Sequence, residues 1–272
     1  MKVISIVGYK KSGKTMLVER LGAALRARGK VGTVKHVHHG IELNPPGTDT
    51  RRHMDAGAEV AIAVAPEMSA MYVRWNSLQQ ALDGLADAGM DFAVVEGFKD
   101  SELPKVVIGD LDVKNEVARI RDAEAEIEEL VRITMLQPDY YTLPALIRKV
   151  RSMKTIRQAG AIGTFTGIVR ERTGNTVTKS LEFEKYDEVA EEKMKLICDE
   201  LSRRDGIAGV LIHHRTGVIA PGDDIVYIVV AASHRQQLFP VLSEAIERLK
   251  EEVPIWKKEH TNEGQYWVHE EQ

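Results

Sequence analysis

The sequence predicts two domains of different class: an α/β domain with a mainly parallel sheet over residues 1–112, and an α+β domain over 132–272. Three observations carry this prediction. Strand and helix patterns alternate through the first third, as βα units do. Long strands separated by two helices fill the second half. Between them, residues 113–131 form an acidic stretch with Val117, Ile120, Ile127 and Val131 on one side, which reads as a helical connector.

In the first domain the apolar run 2–7 is a strand, and 14–28 a helix with Leu17, Leu21, Ala24 and Leu25 inward. Further strands are expected at 31–35, 59–65, 70–74, 91–96 and 104–109, and helices near 50–57 and 77–87. The boundary falls near 131, before a strand expected at Arg132–Leu136; Pro138 and Pro144 then flank a short helix. The second domain has strands at 159–170, 177–186, 208–216 and 224–232, with helices at 187–204 and 234–252. Leu181 to Glu184 alternates like a half-exposed strand, whereas Ile225 to Ala232 is continuously apolar, as in a strand covered on both faces.

The composition narrows the function classes. A hydrophobic fraction of 43% and a charged fraction of 29% argue for a globular chain and against disorder. The net charge of −4 gives no bulk attraction to nucleic acid or an anionic membrane, so an anionic ligand needs a local basic cluster. The N-terminal apolar run is too short for a signal peptide, and nothing approaches the ~18 apolar residues of a membrane helix. The single Cys198 fits a reducing cytoplasm and reads as a buried filler inside a helix.

Gly8-Tyr9-Lys10-Lys11-Ser12-Gly13-Lys14-Thr15 matches G-x-x-x-x-G-K-[ST], between a strand and a helix. The domain is therefore P-loop NTPase-like. Gly8, Lys11, Ser12, Gly13, Lys14 and Thr15 are the expected nucleotide contacts, with backbone N–H groups and Lys14 on the phosphates. Thr15 offers a hydroxyl to Mg2+. Glu96 ends the apolar strand Phe92–Val95 and is a second candidate for the metal, or else a solvent-facing strand end. Asp49 is a third candidate, or else it caps the following helix. His36, His38 and His39 allow a transition-metal site, although a phosphate or switch-loop role suits a strand exit better.

These residues, with Val34-Lys35-His36-Val37-His38-His39, Pro46-Gly47-Thr48-Asp49-Thr50, Ala56-Gly57-Ala58 and Val95-Glu96-Gly97-Phe98-Lys99, resemble the molybdopterin-guanine dinucleotide biosynthesis protein B (MobB) family over residues 1–112. The resemblance implies GTP binding with Mg2+, weak GTPase activity, and help in attaching GMP to molybdopterin beside the molybdenum cofactor guanylyltransferase. One carboxylate of the family's acidic pair is replaced, since Glu42 is followed by Asn44. No N-K-x-D guanine reader is present, so GTP rather than ATP follows from the resemblance alone.

In the second domain, basic residues gather at element ends. Arg170 and Arg172 follow one strand, His214 and Arg215 end another, and His234 and Arg235 open a helix after Ser233, an expected N-cap. Lys250 lies beside the apolar stripe of that helix, and Pro254 ends it, so an extended segment bearing Lys257 can fold back. Two amines in one partly desolvated pocket suit acid/base or covalent chemistry, although a lysine at a helix C-terminus also simply complements the dipole.

Gly160-Ala161, Phe165 to Arg170, Leu181 to Tyr186, His214-Arg215-Thr216-Gly217, Pro221-Gly222-Asp223, Ser233-His234-Arg235, Leu249-Lys250 and Pro254 to Glu259 resemble the catalytic large subunit of molybdopterin synthase (MoaE), across 132–268. The resemblance implies a ubiquitin-like small subunit whose C-terminal Gly-Gly thiocarboxylate enters a pocket of Arg170, His234, Arg235, Lys250 and Lys257. Sulfur then passes to cyclic pyranopterin monophosphate, giving molybdopterin for a molybdenum or tungsten cofactor. Phe165 is expected in the tail channel or in the core. The family's subunits form homodimers and lend a basic residue from beyond the final Trp. Here Val268-His269-Glu270-Glu271-Gln272 follows Trp267 without an Arg, and Lys258 is an expected substitute. The whole chain thus reads as a fusion of two cofactor-biosynthesis domains. A second reading makes it a GTP-dependent adapter that docks pathway partners without catalysing sulfur transfer. A P-loop kinase is a third, without an evident acceptor base or lid.

Overall fold

The computed structural model describes residues 1–37, 42–174, 176–185 and 187–268. His38, His39, Tyr186 and the segment from His269 lie outside the described residues. The chain divides into two compact units, Met1–Tyr140 and Tyr141–Gln272.

The first unit runs β1 (Lys2–Gly8), α1 (Lys14–Arg26), β2 (Val31–Lys35), α2 (Asp49–Asp55), β3 (Val60–Val64), β4 (Ser69–Val73), α3 (Leu78–Asp87), β5 (Phe92–Glu96), β6 (Lys105–Ile108), β7 (Glu116–Ile120) and α4 (Ile127–Leu136). Its five-stranded sheet has the order β2-β5-β1-β6-β7 and is parallel throughout. Ile4, Ile6, Val94 and Val106 face Leu17, Leu21 and Leu25 of α1 and Leu130 and Val131 of α4. Leu17, Leu21 and Leu25 are fully buried, and each such side chain contributes about 1.5–3 kcal/mol. Strands β3 and β4 stand apart from this sheet as an antiparallel hairpin. The connection between them is too short for the crossover that parallel pairing needs.

Residues 113–131 are not a helical connector. They contain β7, the edge strand of the first sheet, and the start of α4. Val117 and Arg119 are exposed while Ala118 and Ile120 pack on the core, a period of two. The strand expected at Arg132–Leu136 is the second half of α4, whose buried Leu130, Val131 and Thr134 follow helical spacing from Ile127.

The second unit runs α5 (Leu143–Arg151), a 3-10 turn (Lys154–Gln158), β8 (Ala161–Ile168), β9 (Arg172–Thr173), β10 (Thr176–Lys185), α6 (Asp187–Ser202), β11 (Ile207–His214), β12 (Gly217–Ile219), β13 (Asp224–Ala232), α7 (Arg235–Glu252), β14 (Ile255–Thr261) and β15 (Gln265–Val268). One antiparallel sheet has the order β11-β13-β8, and a second β12-β10-β14-β15, with β9 on β10. Strand β13 explains its own composition. Val226, Ile228, Val230 and Ala232 join the core under α6 and α7, while Tyr227, Val229 and Ala231 join Leu146 and Val150 of α5 on the opposite face. With both faces covered, alternation has no place in its sequence.

Candidate functional site

In the first unit, β1 delivers the chain into a loop that turns through Lys11 (φ 66°) and Gly13 (φ 88°) before α1 begins at Lys14. A Cβ on Gly8 would stand 2.7 Å from Ser12 Oγ, and one on Gly13 would stand 2.7 Å from Ala123 Cβ. Both glycines are therefore sterically required. Lys11 takes a left-handed backbone where glycine is cheaper, by about 1 kcal/mol. Lys14 Nζ donates to the carbonyls of Gly8 (3.0 Å) and Tyr9 (2.6 Å), across the mouth of the loop.

The loop lines a cavity of about 880 Å³ with Gly8, Lys10, Lys11, Ser12, Gly13, Lys14, Thr15, His36, Glu96, Phe98 and Lys99. All six expected nucleotide contacts are in this lining. Thr15 Oγ1 donates to the Glu96 carboxylate at 3.1 and 3.0 Å from its two oxygens. Lys35 Nζ lies 3.0 Å from Glu96 Oε1 and 3.3 Å from Thr15 Oγ1. A hydroxyl and a carboxylate are hard oxygen donors, so Thr15 and Glu96 fit Mg2+. Asp49 does not line the cavity: it heads α2, where its exposed carboxylate stands 3.5 Å from Arg52 Nη1. His36 stacks on Phe98 with centroids 4.5 Å apart, beside the phosphate loop. Among the described residues no group of three or more His, Cys, Asp or Glu side chains is placed to hold a metal ion.

In the second unit, β8 ends at Ile168 and Arg170 follows two residues later, outside any regular element. The antiparallel pairing of β10 with β14 places Lys257 opposite Phe183. The last turn of α7 carries Lys250, held loosely 3.8 Å from Glu247 Oε1. These three cations line one cavity of about 700 Å³, together with Phe165, Phe183, Thr178, His214 and Glu259. Thr178 donates its hydroxyl to Glu259, and Tyr266 approaches the other carboxylate oxygen at 3.4 Å.

His214 is buried, with Nδ1 2.7 Å from the Arg215 carbonyl. A carbonyl only accepts, so Nδ1 carries a proton and the ring orientation is set. Its ring meets Phe183 edge-on, with centroids 5.0 Å apart. The motif pattern pointed to Arg170, Lys250, Lys257 and Phe165. It assigned no role to Thr178 or Glu259, which only the β10–β14 pairing brings to the cavity.

His234 and Arg235 lie elsewhere. His234, not Ser233, is the N-cap of α7, because the Ser233 hydroxyl is turned to the Gly206 carbonyl at 3.2 Å. Both basic side chains are exposed and absent from the cavity lining. Fifteen positions of α7 separate Arg235 from Lys250, about 22 Å of helix. Lys258, the expected substitute cation, is half-buried 3.9 Å from Glu182 Oε2 and stands over the Trp267 ring. No helix among the described residues is long and apolar enough to cross a membrane.

Comparison with known proteins agrees with this division. The profile of molybdopterin guanine dinucleotide synthesis protein B (MobB) matches residues 3–131, and that of the MoaE protein matches residues 140–252. A protein of Haloferax volcanii named "Probable molybdopterin synthase" is 39% identical over 99% of this chain and 100% of its own length. The molybdopterin synthase catalytic subunit of Halalkalibacterium halodurans is 42% identical, over 46% of this chain and 80% of its own. The solved molybdopterin synthase of Staphylococcus aureus superposes with a TM-score of 0.39 at 41% identity, covering 41% of this chain and 82% of that one.

Proposed function

The chain belongs to the molybdopterin synthase family, in the form that carries a MobB domain ahead of the MoaE domain, and from that premise we propose how an enzyme of molybdopterin biosynthesis divides its chemistry between its two units. The second unit transfers sulfur from the C-terminal thiocarboxylate of a ubiquitin-like small subunit to cyclic pyranopterin monophosphate. The observation that carries this reading is the convergence of Arg170 from just beyond β8, Lys250 from α7 and Lys257 from β14 on one partly apolar cavity.

The roles follow from the side chains. Arg170 offers a planar, permanently charged fork to a phosphate or thiocarboxylate. Phe165 and Phe183 give the uncharged Gly-Gly backbone ahead of the thiocarboxylate an apolar wall. Lys250, on the last turn of a rigid helix, moves the proton as the sulfur bonds to the pterin, or transiently takes the acyl group; in either case water takes the acyl carbon, which leaves as the small subunit's carboxylate. Lys257, in the same lining, stabilises the anion that forms. The chain's one cysteine, Cys198, has its thiol pushed up to about 12, chiefly by burial, so it is no sulfur nucleophile. The sulfur has to arrive on a partner.

His234 and Arg235 serve the same reaction from a second copy of the chain. Their distance from Lys250 along α7 is too great for one pterin to touch both within a chain. The homodimer this requires sets the N-terminus of one α7 against the cavity of the other.

The first unit binds GTP through Gly8, Lys11, Ser12, Gly13, Lys14 and Thr15, with Thr15 and Glu96 holding Mg2+, and assists formation of the guanine dinucleotide cofactor beside a guanylyltransferase. Bound Mg2+ would offset charge on the β- and γ-phosphates. The loop itself orients them through its N–H groups and Lys14.

The test supplies the full chain with thiocarboxylated small subunit and cyclic precursor, and measures molybdopterin. Wild type forms product, and Lys250→Ala loses at least about a hundredfold in rate. Equal product from both variants removes Lys250 from the mechanism. Tight partner binding by wild type without any product favours the adapter reading. Lys14→Ala abolishes GTP binding and leaves product formation unchanged.

A further inference from the structure

The pairing of β2 with β5 sets Lys35 directly opposite Glu96 at the C-terminal end of the parallel sheet. Register partners on neighbouring strands point to the same side, so the two charges are brought together by the backbone and not by chance of rotamer. The ammonium stands 3.0 Å from Glu96 Oε1 and 3.3 Å from the Thr15 hydroxyl, while that hydroxyl bonds the same carboxylate. These are the two oxygens that would hold a divalent ion beside a nucleotide.

We propose that Lys35 is a tethered cation occupying the magnesium position, which has to withdraw before Mg2+ and nucleotide can bind, so that it sets the magnesium requirement of the site. The inference rests on the nucleotide-binding reading of the first unit. Two features of the trio support it. The Glu96 side chain is only 12% exposed, and a carboxylate that sheltered keeps a counter-ion at all times. The Lys35 side chain is 56% exposed, so its flexible stem can swing outward without disturbing the core. Mg2+ needs oxygens at about 2.0–2.1 Å and carries twice the charge, so both cations cannot share the carboxylate and hydroxyl at once. Lys14 is engaged elsewhere, on the Gly8 and Tyr9 carbonyls, and does not substitute for Lys35 at Glu96.

The full chain is titrated with Mg2+ at fixed concentration of a fluorescent GTP analogue, and the Mg2+ level giving half-maximal binding is read. Lys35→Met removes the competitor and lowers that level by about three- to tenfold. Lys35→Arg keeps the charge and stays within about twofold of wild type. In a Glu96→Gln background, where the ammonium keeps the Thr15 hydroxyl but loses the opposing charge, Lys35→Met changes the magnesium requirement by less than twofold. An unchanged or raised magnesium requirement in Lys35→Met, with wild type binding nucleotide normally, overturns the role of Lys35 alone. A wild type that binds no nucleotide at any Mg2+ level overturns the nucleotide reading and this inference with it.

Discussion

Cys198 sits on α6 against the strands of the main core, and its fate separates two ways of handling sulfur. With its thiol held near a pKa of about 12, roughly one molecule in ten thousand carries a thiolate near pH 8. Iodoacetamide near that pH therefore leaves the native thiol unmodified while it alkylates the urea-unfolded chain, and Cys198→Ser retains full synthase activity. Rapid labelling of the native protein, or a dead serine variant, would assign the sulfur to this chain after all. Residue chemistry was legible in the sequence wherever it followed a local motif. Lys14, Thr15 and the glycines form one contiguous string, and Glu96 ends a wholly apolar strand. Glu259, Thr178 and the magnesium-mimicking Lys35 were not legible as site residues, because their positions depend on which strands pair and in what register.

At the level of elements, the same distinction explains which parts of the fold the sequence disclosed. Strands β1, β5 and β13 are covered on both faces and read as apolar runs, interrupted in β1 only by the buried Ser5. β7 is an edge strand with one face in water, and the acidic residues after it disguise a two-residue period as part of a helix. The junction of β8 with α7 shows an element fixed by one missing side chain. Gly160 donates its N–H to the Ala232 carbonyl at 2.9 Å, and a Cβ there would stand 2.4 Å from the Ser233 carbonyl oxygen. Backbone, not a flexible side chain, would have to give. Gly160→Ala is expected to destabilise the second unit by about 1–3 kcal/mol in urea unfolding and to move the start of α7, where His234 and Arg235 sit. Synthase activity should fall with it through a raised KM for the pterin, since the displaced groups bind an anion and do not carry the acyl chemistry. An unaltered unfolding midpoint would show that the close approach relaxes without cost.

For the whole molecule, the length of α7 decides how many chains make one synthase site. Lys250 is at one end of an 18-residue helix and His234-Arg235 at the other, so the groups proposed for a single reaction are split by the helix that carries them. A homodimer resolves the split if each cavity takes Lys250 from one chain and Arg235 from its partner. This arrangement has a quantitative consequence for mixed variants. Lys250→Ala and Arg235→Ala are each inactive alone, because every site in either homodimer lacks one group. After the two are unfolded together and refolded, about half of the dimers are mixed, and each mixed dimer contains one site with both lesions and one with neither, restoring about a quarter of wild-type activity. If both groups acted within one chain, every site in the mixture would still lack one of them, and molybdopterin formation would stay at the level of the separate variants.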